Sequence, residues 1–330
     1  MKLADRRNLA DRRKVIHREG MGHTDFHHEA FFYGDPDEFL AGALPFLREG
    51  LEAGEPALVA VGRRRAEDLR GALNGEAEEV RFVDMEQLGR NPARIIPAWQ
   101  QFVDECGDGR PVRGIGEPVW PGRGADEIDE CHRHEGLLNH AFWDGPAWRL
   151  LCPYDSGALT DEVLESARRT HTVVSGSWTS DDPEHWQTVD PRAVSPFAGS
   201  LPGHPAGAGR LDFDRTGLHE ARAMVRAAAE GAGLSVERCF DLVAAVGELT
   251  ANSVLHGGGN GVLRVWSEPE SLVVQVEDAG VIEQPLTGRV RPDPSQHNGR
   301  GLWMVNHLCD LAQVRSGEGG TTVRVRMGFA

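Results

Sequence analysis

Residues 190–209, DPRAVSPFAGSLPGHPAGAG, contain four prolines, four glycines and four alanines. Proline lacks the N–H that helices and sheets use, and glycine loses more freedom than any other residue on ordering. A stretch of this composition reads as a tether between two folded bodies. The 330-residue chain is long enough for two domains at ~100–200 residues each. The expected division is a basic extension over 1–20, a first domain over 21–185, a linker over 186–209 and a second domain over 210–330.

Charge is distributed unevenly across this division. The formal charge of −16 arises from 35 basic and 51 acidic residues. Residues 21–208 carry 16 basic against 33 acidic side chains, and residues 209–330 carry 12 against 15. That balance repels phosphate and disfavours nucleic acid as a direct partner. No run of 18 apolar residues exists, so no membrane span is expected. Residues 1–20 are charged throughout and lack the apolar stretch of a secretory leader; Met21 is an alternative start. Cys106, Cys131, Cys152, Cys239 and Cys309 are odd in number and widely spaced. They read as reduced thiols of a cytoplasmic protein. Lysine occurs only at Lys2 and Lys14, which excludes lysine chemistry from the body of the chain.

In the first half, helix and strand signals alternate. Helices are expected from Asp37 to Gly54, Ile95 to Cys106, Glu127 to Trp143 and Thr160 to Arg169. Short apolar runs at Pro56–Gly62, Val80–Met85, Val112–Trp120 and Trp148–Cys152 read as buried strands. The alternation implies a layered α/β domain with a largely parallel sheet.

In the second half, two amphipathic helices, from Leu218 and from about Val236 to His256, precede strands of period two. These are Val262–Trp266, Leu272–Glu277 and Thr322–Met327, the last after a further helix. Helices on one face of a mixed sheet, an α+β sandwich, are expected.

Four pieces of this half carry chemistry. In ELTANSVLHG, Glu248, Asn252 and His256 recur at i, i+4, i+8 and share a helix face. A solvated helix face accounts for that stripe as well, but Glu248 and Asn252 also suit a hydrated Mg²⁺ and a nucleophile's proton. In EDAG, Asp278 ends a strand and accepts an amine hydrogen bond such as adenine offers, with Gly280 beside it. In NGRGLWMV, Gly299 and Gly301 bracket Arg300 ahead of a helix, an opening suited to phosphate. The loop is too short for a Walker A motif and has no lysine. In GGTTV, Gly320 and Thr321 start the last strand.

In this order the four pieces resemble the GHKL (Bergerat-fold) ATPases over about residues 210–330. Glu248 and Asn252 match the N box, Asp278 and Gly280 the G1 box, Gly299 and Gly301 the G2 box, and Gly320 with Thr321 the final Gly-Thr. The resemblance implies ATP and Mg²⁺ as cofactors, Glu248 as general base, Asn252 as Mg²⁺ ligand and Asp278 as adenine reader. Gly280, Gly299, Arg300, Gly301 and Thr321 complete the nucleotide contacts. Val281-Ile282 departs from the family, where another glycine is common. Histidine kinases carry a dimerisation helix pair upstream; here a linker and one helix precede ELTANSVLHG. That compact form is similar to anti-sigma factors of the serine protein kinase type. The implied partners are a sigma factor and an anti-anti-sigma STAS-domain protein, the latter phosphorylated on Ser or Thr. A homodimer is a further expected state. A sigma-sequestering module without phosphoryl transfer, and an atypical histidine kinase, stay open as alternatives.

The first half holds HHEAFFYGDPDEFL, IGEPVWPGR, ECHRHEGLLNHAFW, LLCPYD and RRTH. Over about residues 21–180 these are similar to the MEDS family of methanogen and methylotroph sensory domains. The resemblance implies a RecA-like α/β fold without its P-loop, sensing a small molecule. His28, Glu117, Glu135, Asn139, Tyr154 and Asp155, with Glu29 and Arg123 near them, are candidate pocket residues at the strands' carboxyl ends. Cys131, His132, His134 and His140 do not have the spacing of paired zinc ligands. Like His23 and His27, they read as packed or surface side chains.

Overall fold

A computed structural model describes residues 16–17, 26–106, 110–143, 145, 147–176, 197–292 and 299–329. The basic segment before residue 16, His23, Met21, the first part of the expected linker and Asn298 lie outside the described residues. The chain divides into two compact units, 1–92 with 98–194, and 93–97 with 195–330.

The first unit alternates strand and helix. Its elements are β1 (Ile16–His17), β2 (Phe26–Tyr33), α1 (Pro36–Glu52), β3 (Ala57–Val61), α2 (Arg63–Leu73) and β4 (Val80–Asp84). There follow α3 (Met85–Leu88), α4 (Ile95–Cys106), β5 (Val112–Gly116), α5 (Ala125–Phe142), β6 (Trp148–Asp155), α6 (Asp161–Thr170) and β7 (Val173–Gly176). The sheet order is β1-β7-β2-β6-β5-β3-β4. The six strands β2–β7 run parallel and β1 pairs antiparallel with β7 at the edge. A parallel sheet is covered on both faces, so its strands are buried at every position rather than at alternate ones. ALVAV of β3 and VRGIG of β5 show that pattern. Helix starts are set locally: Pro36 occupies the first turn of α1, and the Asp35 carboxylate accepts from the Glu38 N–H at 2.9 Å.

The second unit contains β8 (Gly209–Asp214), α7 (Leu218–Gly231), α8 (Val236–His256), β9 (Asn260–Ser267) and β10 (Ser271–Asp278). It ends with α9 (Arg300–Leu308), β11 (Leu311–Gly317) and β12 (Gly320–Gly328). The five strands are ordered β11-β12-β10-β9-β8. Every neighbouring pair is antiparallel, so the sheet is not mixed as its sequence suggested. Leu272, Val274 and Val276 of β10 and Val323, Val325 and Met327 of β12 point to one face. There they pack with Leu242, Val246 and Leu249 of α8, Val225 of α7 and Val305 of α9. Each such buried Leu or Val contributes about 1.5–3 kcal/mol.

The opposite face is polar, and the end of the expected linker lies on it. The Ser316 N–H donates to the Phe197 carbonyl at 3.1 Å, and Arg324 Nη2 donates to the Pro202 carbonyl at 2.6 Å. Phe197 is buried. Residues 197–204 are therefore part of the second unit rather than a free tether. An open cavity of about 470 Å³ lies beneath them, floored by Gln275, Thr322 and Arg324. Among the described residues no helix is long and apolar enough to cross a membrane.

Candidate functional site

In the second unit, the period of two that buries Val276 and Val323 also turns Asp278 and Thr321 toward the helices. These two residues are register partners across β10 and β12. The Asp278 carboxylate is held from two directions. Its Oδ2 accepts from the Ser253 hydroxyl on α8 at 2.6 Å, and its Oδ1 accepts from the Gly280 N–H at 2.8 Å. The Thr321 hydroxyl donates to the Gly280 carbonyl at 2.7 Å and lies 2.8 Å from Ser316 Oγ. Ser316 Oγ in turn accepts from the Ile282 N–H at 2.8 Å. The turn after Asp278 is thus fastened through Thr321 and Ser316, and the half-buried carboxylate keeps acceptor capacity for an amine.

Glu248 and Asn252 stand one turn apart on α8, both half-buried, while His256 at its end is exposed. The start of α9 rests directly on the first two. A Cβ added to Gly301 would sit 2.9 Å from Asn252 Nδ2 and 3.1 Å from Glu248 Oε2. Gly299 caps α9 with φ +90°, a left-handed conformation that glycine adopts without strain. Arg300 is exposed. The oxygen donors of Glu248 and Asn252 are hard, as Mg²⁺ requires, and the missing Cβ at Gly301 lets α9 approach them without a clash.

In the first unit the candidate residues fall into two groups. At the carboxyl ends of the strands, Glu117 Oε1 accepts from the Tyr33 hydroxyl and from Arg65 Nε, each at 2.9 Å. Arg65 Nη2 donates to Asp155 Oδ2 at 3.1 Å, and its guanidinium lies 4.6 Å over the Tyr33 ring. Burial pushes the Glu117 carboxyl above the usual carboxylate range despite the pull of Arg65. The Tyr33 phenol is pushed up by burial and by Glu117.

The second group is entirely buried. His28 Nδ1 lies 3.1 Å from Asn139 Oδ1, and His28 Nε2 lies 3.0 Å from Glu135 Oε2 and 3.4 Å from Cys152 Sγ. His171 Nε2 lies 3.4 Å from the same Glu135 oxygen. The rings of His28 and His171 are 3.9 Å apart at their centres. Tyr154 meets the His171 ring edge-on. Burial and the neighbouring Glu135 push the Cys152 thiol and the Tyr154 phenol well above their ordinary ranges.

The remaining candidates are structural. Cys131 donates to the Pro118 carbonyl, and burial pushes its thiol up to about 12. Arg123 Nη1 donates to the same carbonyl, and the Ser175 hydroxyl donates to Glu29. Arg65, Cys152, His171 and Ser253 are absent from the sequence-based selection. LLCPYD and RRTH flagged the segments of Cys152 and His171, but not these side chains.

The fold and the two sites define a class: a parallel α/β module with a buried polar centre, joined to a layered α+β module of helices on an antiparallel sheet. Comparisons make this specific. Residues 27–172 match the model of the MEDS family, the MEthanogen/methylotroph, DcmR Sensory domain. Residues 212–327 match that of the Histidine kinase-like ATPase domain. The chain therefore joins a MEDS domain to a histidine kinase-like ATPase domain, a family that implies nucleotide binding. A solved structure of the RsbU and RsbW domains of Rv1364c from Mycobacterium tuberculosis is similar at 22% identity, with a TM-score of 0.28. The match covers 36% of this chain and 32% of that one, so the chain spans about a third of that structure's length. Among curated proteins none matches the chain.

Proposed function

We propose that the second unit binds ATP with Mg²⁺ and acts as an anti-sigma factor of the serine/threonine kinase type, under control of the MEDS domain. The observation that carries this reading is the meeting of Glu248, Asn252 and Gly301 beside the fixed Asp278 carboxylate. Asp278 would accept from the adenine amine. The left-handed turn at Gly299 and the first turn of α9 offer backbone N–H groups to phosphate, with Arg300 beside them. Asn252 would hold Mg²⁺, which when bound neutralises phosphate charge. Glu248 would take the proton of an attacking Ser or Thr hydroxyl on a STAS-domain partner. A sigma factor would compete for the same domain, and the chain would work in the cytoplasm.

The test is incubation of the full chain with labelled ATP and a cognate STAS partner. Label on a Ser or Thr of the partner is expected. ATP binding without transfer would replace the kinase by a sigma-sequestering module. Acid-labile label on the chain itself would replace it by a histidine kinase.

A further inference from the structure

The buried group in the MEDS domain brings four donor atoms to one point from four parts of the fold. His28 comes from β2, Glu135 from α5, Cys152 from β6, and His171 from the turn between α6 and β7. All four side chains are buried, and their donor atoms all lie within 4.8 Å of one another. Tetrahedral zinc holds N and O at ~2.0–2.1 Å and S at ~2.3 Å, which places neighbouring ligand atoms about 3.3–3.6 Å apart. Here the closest separations are 3.0, 3.4 and 3.4 Å.

Proton placement points the same way. Asn139 Nδ2 donates to the carbonyls of Thr170 at 2.7 Å and Glu135 at 3.3 Å. That fixes the amide so that its oxygen faces His28 Nδ1, which must then carry the proton. His171 Nδ1 lies 2.6 Å from the Ala167 carbonyl and must also be a donor. Both rings therefore turn Nε2 inward and carry on Nδ1 the outer hydrogen bond that orients a histidine ligand. Two imidazole nitrogens, a carboxylate oxygen and the Cys152 sulfur converge.

We propose that His28, Glu135, Cys152 and His171 form a tetrahedral site for a divalent transition-metal ion of borderline softness, zinc by its His₂-Cys-carboxylate donor set. On binding, the Cys152 thiol proton leaves to solvent. The thiolate and the Glu135 carboxylate then balance the two positive charges, so the buried site is neutral. Four protein ligands leave no open position, which marks a structural or sensing centre rather than a catalytic one. The ion would pin β2 and β6 to α5 and to the turn that follows α6.

The experiment uses the tag-free full chain. Stoichiometric zinc after size exclusion is expected, as is a cobalt(II) derivative with intense tetrahedral visible bands and a thiolate-to-cobalt band in the near ultraviolet. Cys152→Ser should remove the near-ultraviolet band, and Cys106→Ser should leave it. Asn139→Leu, which deletes the acceptor of the His28 Nδ1–H together with the two hydrogen bonds Asn139 Nδ2 donates, should weaken metal affinity about 10–100-fold. Wild-type chain that takes up no zinc, a weak octahedral cobalt spectrum, or a thiolate band surviving in Cys152→Ser would each overturn the site.

Discussion

Gly301 acts through the side chain it lacks. Its Cα lets the start of α9 close on Asn252 and Glu248, and any Cβ there would press on both. Gly301→Ala is expected to weaken ATP binding by at least about tenfold while overpacking costs only ~1–3 kcal/mol of stability; calorimetric titration and thermal melts read the two effects. Asn252→Ala should abolish nucleotide binding, whereas Glu248→Ala should largely keep it and lose phosphoryl transfer. Wild-type ATP affinity in Asn252→Ala would refute the Mg²⁺ assignment. The positions of Glu248 and Asn252 were legible because helical spacing itself places them together. Arg65, Cys152 and His171 were not, because no local period links them to Glu117, His28 or Glu135. Only the parallel crossovers bring those partners side by side.

Among the elements, those whose burial follows a clean period could be read directly. The helices α4 and α8 end where the apolar stripe ends, and β3 is a continuous apolar run. Strand β2 was hidden by His27, His28 and Glu29, polar residues in a strand buried at most positions. Strand β11 was hidden by Gln313 and Arg315, polar yet buried. The segment 197–204 was read from its composition as free, yet its carbonyls serve β11 and β12. Arg324 holds this arrangement together: its Nε and Nη2 donate to Gln275 Oε1 at 2.8 and 2.5 Å, and Nη2 also reaches the Pro202 carbonyl. Arg324→Met keeps much of the apolar stem and removes these bonds. Faster amide exchange at Ser316, whose N–H is bonded to Phe197, is the expected result. Unchanged exchange there would mean that Phe197 anchors the segment without Arg324. At Gly320, φ is +104° and a side chain would strike the Asp278 carbonyl. Gly320→Ala should therefore cost at least ~1–3 kcal/mol in a denaturant titration.

On the scale of the whole molecule, the acidity of the chain belongs to one part of it. The 33 acidic and 16 basic residues of 21–208 contrast with 15 and 12 in 209–330, so the half matched by the ATPase-domain family is nearly balanced in charge. Each unit has its own sheet and its own apolar cluster, and each is assigned its own ligand. Two thermal transitions are therefore expected in scanning calorimetry. Ligand linkage makes them separable, since a ligand at 100 times its Kd adds about 2.7 kcal/mol to the unit that binds it. ATP with Mg²⁺ should raise one transition and leave the other in place. Chelation of zinc should lower the other, because loss of the ion leaves His28, His171 and Glu135 facing one another in a buried site. Asn252→Ala should erase the first response and keep the second, while Cys152→Ser should do the reverse. A single transition that moves with both ligands would show instead that the two modules unfold as one cooperative body.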